Sequence, residues 1–165
     1  MKKLLIASLL TLIGSVLLAQ ENIITTFILV RHAEKDLTQS TNDPDLSKEG
    51  SARAVKLNEL LGKTDIHAIY STAYKRTQQT VALVAAEKGL TIQTYQAKEE
   101  VDKMIQEHAG GTILLSGHSN TIPVILNFLI GEEKYKMFDD LDFGNVIVVS
   151  FVSRGKNAKV TWLRY

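Results

Sequence analysis

From residue 23 onward the chain alternates short apolar runs with longer stretches whose apolar positions recur at helical spacing. Ile23 to Val30 is apolar and β-branched, the pattern of a strand buried on both faces. Arg31 to Asp45 is polar, with Asn42, Asp43 and Pro44 as turn chemistry. Ser47 is placed to N-cap a helix running to about Leu61, and Gly62 closes it. Ile66 to Tyr70 reads as a short strand. Tyr74 to Lys88 reads as a helix, with Thr77, Val81, Val84 and Ala85 on one face and Gly89 ending it. Leu90 to Tyr95 alternates as a strand does, and Glu99 to His108 is predicted as a helix stopped by Gly110 and Gly111. Thr112 to Ser116 is a strongly apolar strand. Asn120 to Ile130 is a helix that tolerates Pro123 in its first turn, and Gly131 ends it. Asn145 to Val152 and Ala158 to Tyr165 form a strand pair turning near Gly155 and Asn157. Strands alternating with helices predict an α/β fold. It is a three-layer sandwich with a mostly parallel central sheet, helices on both faces, and an antiparallel edge from the C-terminal hairpin.

The first 19 residues follow a different pattern. Lys2 and Lys3 precede a run from Leu4 to Leu18 interrupted only by Ser8, Thr11, Gly14 and Ser15, and small Ala19 is followed by polar Gln20, Glu21 and Asn22. This is the layout of a secretory signal peptide. The competing reading is an uncleaved anchor, because the run is nearly long enough to span a bilayer; the shortness of the apolar stretch favours cleavage. The expected organisation is a signal peptide over 1–19 and one domain over 20–165. The product is expected to be exported, periplasmic or extracellular, without stable membrane association after cleavage. Loss of Lys2 and Lys3 moves the formal charge from +1 to −1, so no global field favours nucleic acid. The chain has no cysteine, which excludes disulfides, thiolate metal sites and a cysteine nucleophile.

Ligands of open α/β sheets bind beyond the carboxyl ends of the strands. After the first strand comes Arg31-His32-Ala33-Glu34-Lys35; after the second, Ser71-Thr72-Ala73-Tyr74-Lys75-Arg76; after the Thr112 strand, Gly117-His118-Ser119-Asn120. Two histidines and two arginines from distant segments therefore converge on one sheet edge. These residue types suit phosphoryl transfer. A neutral imidazole is a nucleophile toward phosphorus, and arginines present fixed forks of N–H donors to phosphoryl oxygens. Their charge also disfavours protonation of a nearby imidazole. The N-terminus of the helix near Asn120 adds backbone N–H groups. The scheme needs no metal and no cofactor.

Leu29-Val30-Arg31-His32-Ala33-Glu34 resembles the signature of the histidine phosphatase superfamily, whose fold is that of the phosphoglycerate mutases. Leu46-Ser47-Lys48-Glu49-Gly50, Tyr70 to Thr80, and Ser116-Gly117-His118-Ser119 resemble its next three segments, in the same order. The resemblance implies that His32 is the phosphorylated nucleophile and His118 the second catalytic histidine. It implies that Arg31 and Arg76 bind phosphate. The short chain lacks large helical insertions, and Ser119 follows His118 where the phytase and acid phosphatase branch has an acid. It therefore resembles the small branch, near the phosphohistidine phosphatases.

The implied activity is hydrolysis of phosphomonoesters or phosphoramidates through a phosphohistidine on His32. The substrate is a phosphorylated small molecule or phosphoprotein. A mutase-type phosphotransferase and a non-catalytic phosphate-binding module of the same fold are the alternatives. His67 and His108 lie away from the expected edge and are assigned to structure. Lys35, Lys75 and Asn120 are assigned either to the pocket or to solvent, and Glu34 either to chemistry or to orienting Arg31 or a strand-end amide. Tyr135 and Phe138 either pack on the sheet or cover the site. No carboxyl stands out as a general acid; Glu99, Glu100, Asp36, Asp43 and Asp45 are the weak candidates.

Overall fold

In a computed structural model describing residues 23–165, the strands are β1 (Thr25–Arg31), β2 (Ala68–Ser71), β3 (Ile92–Thr94), β4 (Thr112–Gly117), β5 (Asn145–Phe151) and β6 (Lys159–Arg164). The helices are α1 (Lys48–Leu61), α2 (Lys75–Lys88), α3 (Val101–Glu107) and α4 (Thr121–Ile130). The signal peptide expected over 1–19 lies outside the described residues. Among them, no helix is long and apolar enough to cross a membrane.

The strands form one sheet in the order β3-β2-β4-β1-β5-β6. The first four in that order are mutually parallel. β5 runs antiparallel to β1, and β6 antiparallel to β5, so the C-terminal hairpin supplies the antiparallel edge. Successive residues of a strand face opposite sides, and β1 feeds two cores in this way. Ile28 and Val30 pack with Leu57 and Leu61 of α1 and Val81 and Val84 of α2. Phe27 and Leu29 pack with Val101 and Met104 of α3 and Ile122, Ile125, Leu126 and Leu129 of α4. This is the predicted three-layer α/β arrangement.

Several elements differ from their expected bounds by one or two residues at an end, and two are markedly shorter than their sequence pattern. β3 keeps only three paired residues, because only Ile92, Gln93 and Thr94 face β2. The helix expected from Glu99 begins with a tighter 3₁₀ turn, Lys98–Glu100, before α3. There the Glu100 carboxylate accepts hydrogen bonds from the Gln96 and Ala97 amides, at 2.7 and 3.1 Å.

The segment after β1 is fastened by residues of the sequence motifs. Ser47 Oγ accepts from the Gly50 amide at 3.1 Å as the α1 cap. Ala33 N donates to Thr80 Oγ1 at 2.9 Å, and Leu46 N to Gln79 Oε1 at 2.8 Å. Gly50 sits directly on the backbone of Glu34; a Cβ there would lie 2.1 Å from the Glu34 carbonyl oxygen. Neither backbone can yield without moving the loop that follows His32. Gly50→Ala is expected to cost about 1–3 kcal/mol, the usual cost of overpacking. Urea unfolding checks this against Ser51→Ala, an exposed neighbour on the same helix expected to be near neutral.

Candidate active site

Strand register brings the two histidines together. β1 and β4 are parallel neighbours, and Arg31 pairs with Gly117. His32 and His118 are therefore the next residue of each strand, and their rings lie edge to face with centroids 5.4 Å apart. The His32 amide donates to the Gly117 carbonyl at 2.9 Å, which extends the pairing one residue beyond the strand.

Each ring has a defined neighbour. His32 Nδ1 lies 2.7 Å from the Ala33 carbonyl oxygen. A carbonyl can only accept, so Nδ1 carries the proton and Nε2 presents its lone pair. His118 Nε2 lies 3.0 Å from Thr72 Oγ1, which in turn lies 2.8 Å from Thr77 Oγ1. The Tyr74 ring meets the His118 ring edge-on, with centroids 5.1 Å apart.

Arg31 is only 7% exposed. Its Nη1 donates to the carbonyls of Asp139 (2.7 Å) and Asp142 (3.2 Å), and its Nη2 to that of Asp140 (3.1 Å). The guanidinium also lies over the Phe143 ring, 4.3 Å from its centroid. Three of its five N–H groups are thus engaged. The buried Nε has no partner among the described residues. Arg76 stands over the Tyr74 ring at 4.3 Å, and its Nη1 is 3.7 Å from Asp43. Its buried Nε is also without a partner. Two buried, cationic N–H groups left unsatisfied beside two imidazoles are the complement of an anion.

Electrostatics keeps the rings uncharged. Burial pulls His32 from its ordinary 6.5 down to about 4, and His118, Arg76 and Arg31 push the same way against the Ala33 hydrogen bond. His118 is likewise drawn down to about 4, first by burial and then by Arg76 and Arg31. Burial also lowers Arg31 below its ordinary value; a guanidinium nevertheless stays charged at any working pH.

A cavity of about 570 Å³ opens over the two histidines and Arg31, while Arg76 lies outside its lining; the volume is ordinary for a small-molecule site. Arg31, His32 and His118 line it, with Ser119 and Asn120 from the start of α4. Glu34 and Lys35 also reach it, together with Leu37, Asp140, Leu141 and Phe143. Glu34 does not pair with Arg31. Its carboxylate takes three hydrogen bonds of 2.6–3.0 Å from Arg53 of α1, and these hold it below the ordinary carboxylate range.

The weak candidates for a general acid lie off the cavity. Asp36 is bound to Thr38 and Gln39, Asp45 to Gln79, and Asp43 to the Lys75 amide. Glu100 is the cap already described, and Glu99 is exposed. Lys75 reaches toward Asp45 at 3.9 Å. His67 and His108 share a separate pocket with Gly110 and Gly111, at the other end of β2 and β4. There Tyr70 Oη lies 3.1 Å from His108 Nε2, and His67 Nδ1 accepts from the Thr112 amide. Phe138 and Tyr135 pack against Trp162 of β6, whereas the residues just beyond them enclose Arg31. That 139–143 segment is the part of the site sequence reasoning missed. Its one sequence signal is Gly144, which takes a φ of 85° and turns the chain into β5.

The family model of the histidine phosphatase superfamily (branch 1) matches residues 27–102, a stretch that includes Arg31, His32 and Arg76. The chain is thus similar to this superfamily over a little under half of its length. Phosphoserine phosphatase 1 of Hydrogenobacter thermophilus is 39% identical over 70 residues, which cover 39% of this chain and 33% of that protein. The matched stretch thus spans about a third of that relative. Among solved structures, a mycobacterial glucosyl-3-phosphoglycerate phosphatase superposes with a TM-score of 0.69 at 14% identity, over 86% of this chain and 98% of the other. A protein from Agrobacterium tumefaciens assigned as a phosphohistidine phosphatase gives 0.64 at 19% identity, over 86% and 98%. At such identities these superpositions establish the shared fold.

The depressed histidines generate a prediction. An unfolded histidine keeps its ordinary value near 6.5, so in the window from 6.5 down to 4 the unfolded chain binds protons more readily than the folded one. The contribution of both rings to stability is full above 6.5 and is lost as the pH falls toward 4. Ring-resolved NMR titration of the free protein is expected to find His32 and His118 neutral at pH 6, with midpoints near 4. A midpoint near 6.5 for either ring would contradict this electrostatic picture.

Proposed function

We propose that this protein is a metal-independent phosphatase that hydrolyses phosphomonoesters or phosphoramidates through a phosphohistidine on His32. The observation that carries the reading is the state of His32: its Nδ1 proton is engaged by the Ala33 carbonyl, and it is a neutral ring beside two guanidiniums. In the first step the Nε2 lone pair forms a bond to phosphorus. The bond from phosphorus to the leaving oxygen or nitrogen breaks, and the leaving atom departs with the electron pair and takes a proton from solvent. In the second step water attacks phosphorus and the N–P bond breaks. Inorganic phosphate leaves and neutral His32 is restored.

Arg31, Arg76 and His118 hold the equatorial oxygens and stabilise the charge that develops on them. They supply at this edge what a metal ion supplies elsewhere. The names of the relatives, phosphoserine phosphatase and glucosyl-3-phosphoglycerate phosphatase, agree with a phosphomonoester as substrate. Glu34, the carboxylate nearest His32 in sequence, is held ionised by Arg53 and is unsuited to protonate a leaving group. The enzyme therefore favours aryl phosphates, acyl phosphates or phosphoramidates over simple alkyl phosphates.

The deciding assay is para-nitrophenyl phosphate turnover in excess chelator, beside His32→Ala. Turnover is expected to survive chelation and to fall at least about a thousandfold in the variant, the scale seen when a covalent nucleophile is removed. Phosphate binding without turnover in the wild type would instead identify a binding module. Glycerol phosphate is expected to be a markedly poorer substrate, and equal turnover would refute the leaving-group argument.

The same reading places the domain outside the cytoplasm, on the strength of Lys2, Lys3 and the Leu4–Leu18 run before Ala19. Intact-mass measurement of the protein from the periplasm or medium is expected to find residues 1–19 removed. An intact N-terminus in the membrane fraction would favour an anchor.

A further inference from the structure

The phosphate end of the cavity is strongly polar; its mouth is not. Leu37 stands in the loop after β1 and is 81% exposed; Leu141 stands in the 139–143 segment and is 86% exposed. These loops are about a hundred residues apart in sequence, yet both leucines line the cavity that holds His32. Phe143 lies deeper in the same cavity, its ring 6.2 Å from that of His32 and under the Arg31 guanidinium. The cavity thus carries an apolar ring beside the imidazole and two leucines at its solvent edge. Leucines kept in solvent at the mouth of a site offer burial to whatever enters with an apolar surface.

The charges around the mouth are balanced. Apart from Arg31, the cavity is lined by the Glu34 and Asp140 carboxylates and by Lys35. Asp140 is 91% exposed at the rim, with Oδ1 3.9 Å from Arg31 Nη2, and Glu34 is held ionised by Arg53. Arg53 offsets Glu34 and Lys35 offsets Asp140, so no net charge at the mouth recruits a charged leaving group, and an uncharged apolar one meets Leu37 and Leu141.

We propose that Leu37, Leu141 and Phe143 form a leaving-group subsite that selects phosphomonoesters whose leaving group is uncharged and apolar, an aryl or alkyl-aryl group. The proposal rests on the phosphatase reading only for the position of the phosphate.

The test compares phenyl phosphate with 4-butylphenyl phosphate. Their leaving oxygens are alike and they differ in apolar reach. Wild-type protein is expected to favour the butyl ester about tenfold in kcat/KM, an advantage of the size that one or two buried methylenes provide. In the Leu37→Asn, Leu141→Asn double variant the advantage is expected to shrink below about twofold, while inhibition by inorganic phosphate is unchanged. Both leucines are exposed, so the variant should fold; far-ultraviolet circular dichroism checks it. Equal kcat/KM for the two esters in the wild type overturns the subsite, as does an advantage that survives the double substitution. Calorimetric binding of phenylphosphonate and 4-butylphenylphosphonate separates this from failure of the phosphatase reading. If turnover is absent but the butyl compound binds about tenfold tighter, the subsite stands and the hydrolase does not. If both phosphonates bind equally, the subsite falls whatever the turnover.

Discussion

The site depends on keeping two guanidinium groups under the protein surface beside two uncharged imidazoles. Removing an ion from water costs several kcal/mol even after relaxation, and the surroundings offset this only in part. Arg31 receives three backbone carbonyls and the face of Phe143. Arg76 receives the face of Tyr74 and a distant carboxylate at Asp43. What is left over is one buried Nε–H on each arginine without a partner. A buried unsatisfied donor costs about 1–3 kcal/mol; the phosphate-binding role proposed for the two arginines would offset part of the cost of burying them. Burial keeps His32 and His118 neutral, and the same two charges push in the same direction.

Sheet register and loop anchoring turn this arrangement into geometry. The pairing of Arg31 with Gly117 makes the two histidines neighbours, and the pairing of Ser71 with Ser116 brings Thr72 to His118. Many residues of the recognisable motifs never touch the cavity. Ser47 and Gly50 seat α1 against the loop after β1, and Gln79 and Thr80 clamp that loop from α2. Their role is to set the backbone from which His32 and Glu34 project. A motif here records how a loop is held as much as which atoms react.

This division explains what could be read from the sequence. The strands and helices announce themselves through periodicity and through Gly62, Gly89 and Gly131. Arg31, His32, Arg76 and His118 are legible because charged or ionisable residues directly follow apolar strands or open a helix, where the sheet edge must gather them. Other features left no such trace. The 139–143 segment acts through backbone carbonyls, which are the same for every residue type, so its grip on Arg31 has no side-chain signature. The partner of Glu34 was equally hidden. Arg53 lies on α1, and only the close seating of Gly50 brings it within reach. The 3₁₀ turn before α3 follows from Glu100 bonding back to Gln96 and Ala97, a choice that helical periodicity does not encode.

The Glu34–Arg53 pair has a consequence for the chemistry. A carboxyl that lines the cavity is a natural proton donor only if it is protonated when the leaving group departs. Arg53 makes three short hydrogen bonds to it and stabilises the ionised form. Glu34 is thus committed to bracing α1 against the loop after β1, and its negative charge remains in the cavity throughout. In the proposed reaction Glu34 therefore supplies no proton to the leaving group. That lack matters least for a leaving group that spreads its charge into a ring or an acyl group. Under the proposed function, the ion pair that stabilises the loop and the apolar residues at the cavity mouth favour the same aryl leaving groups.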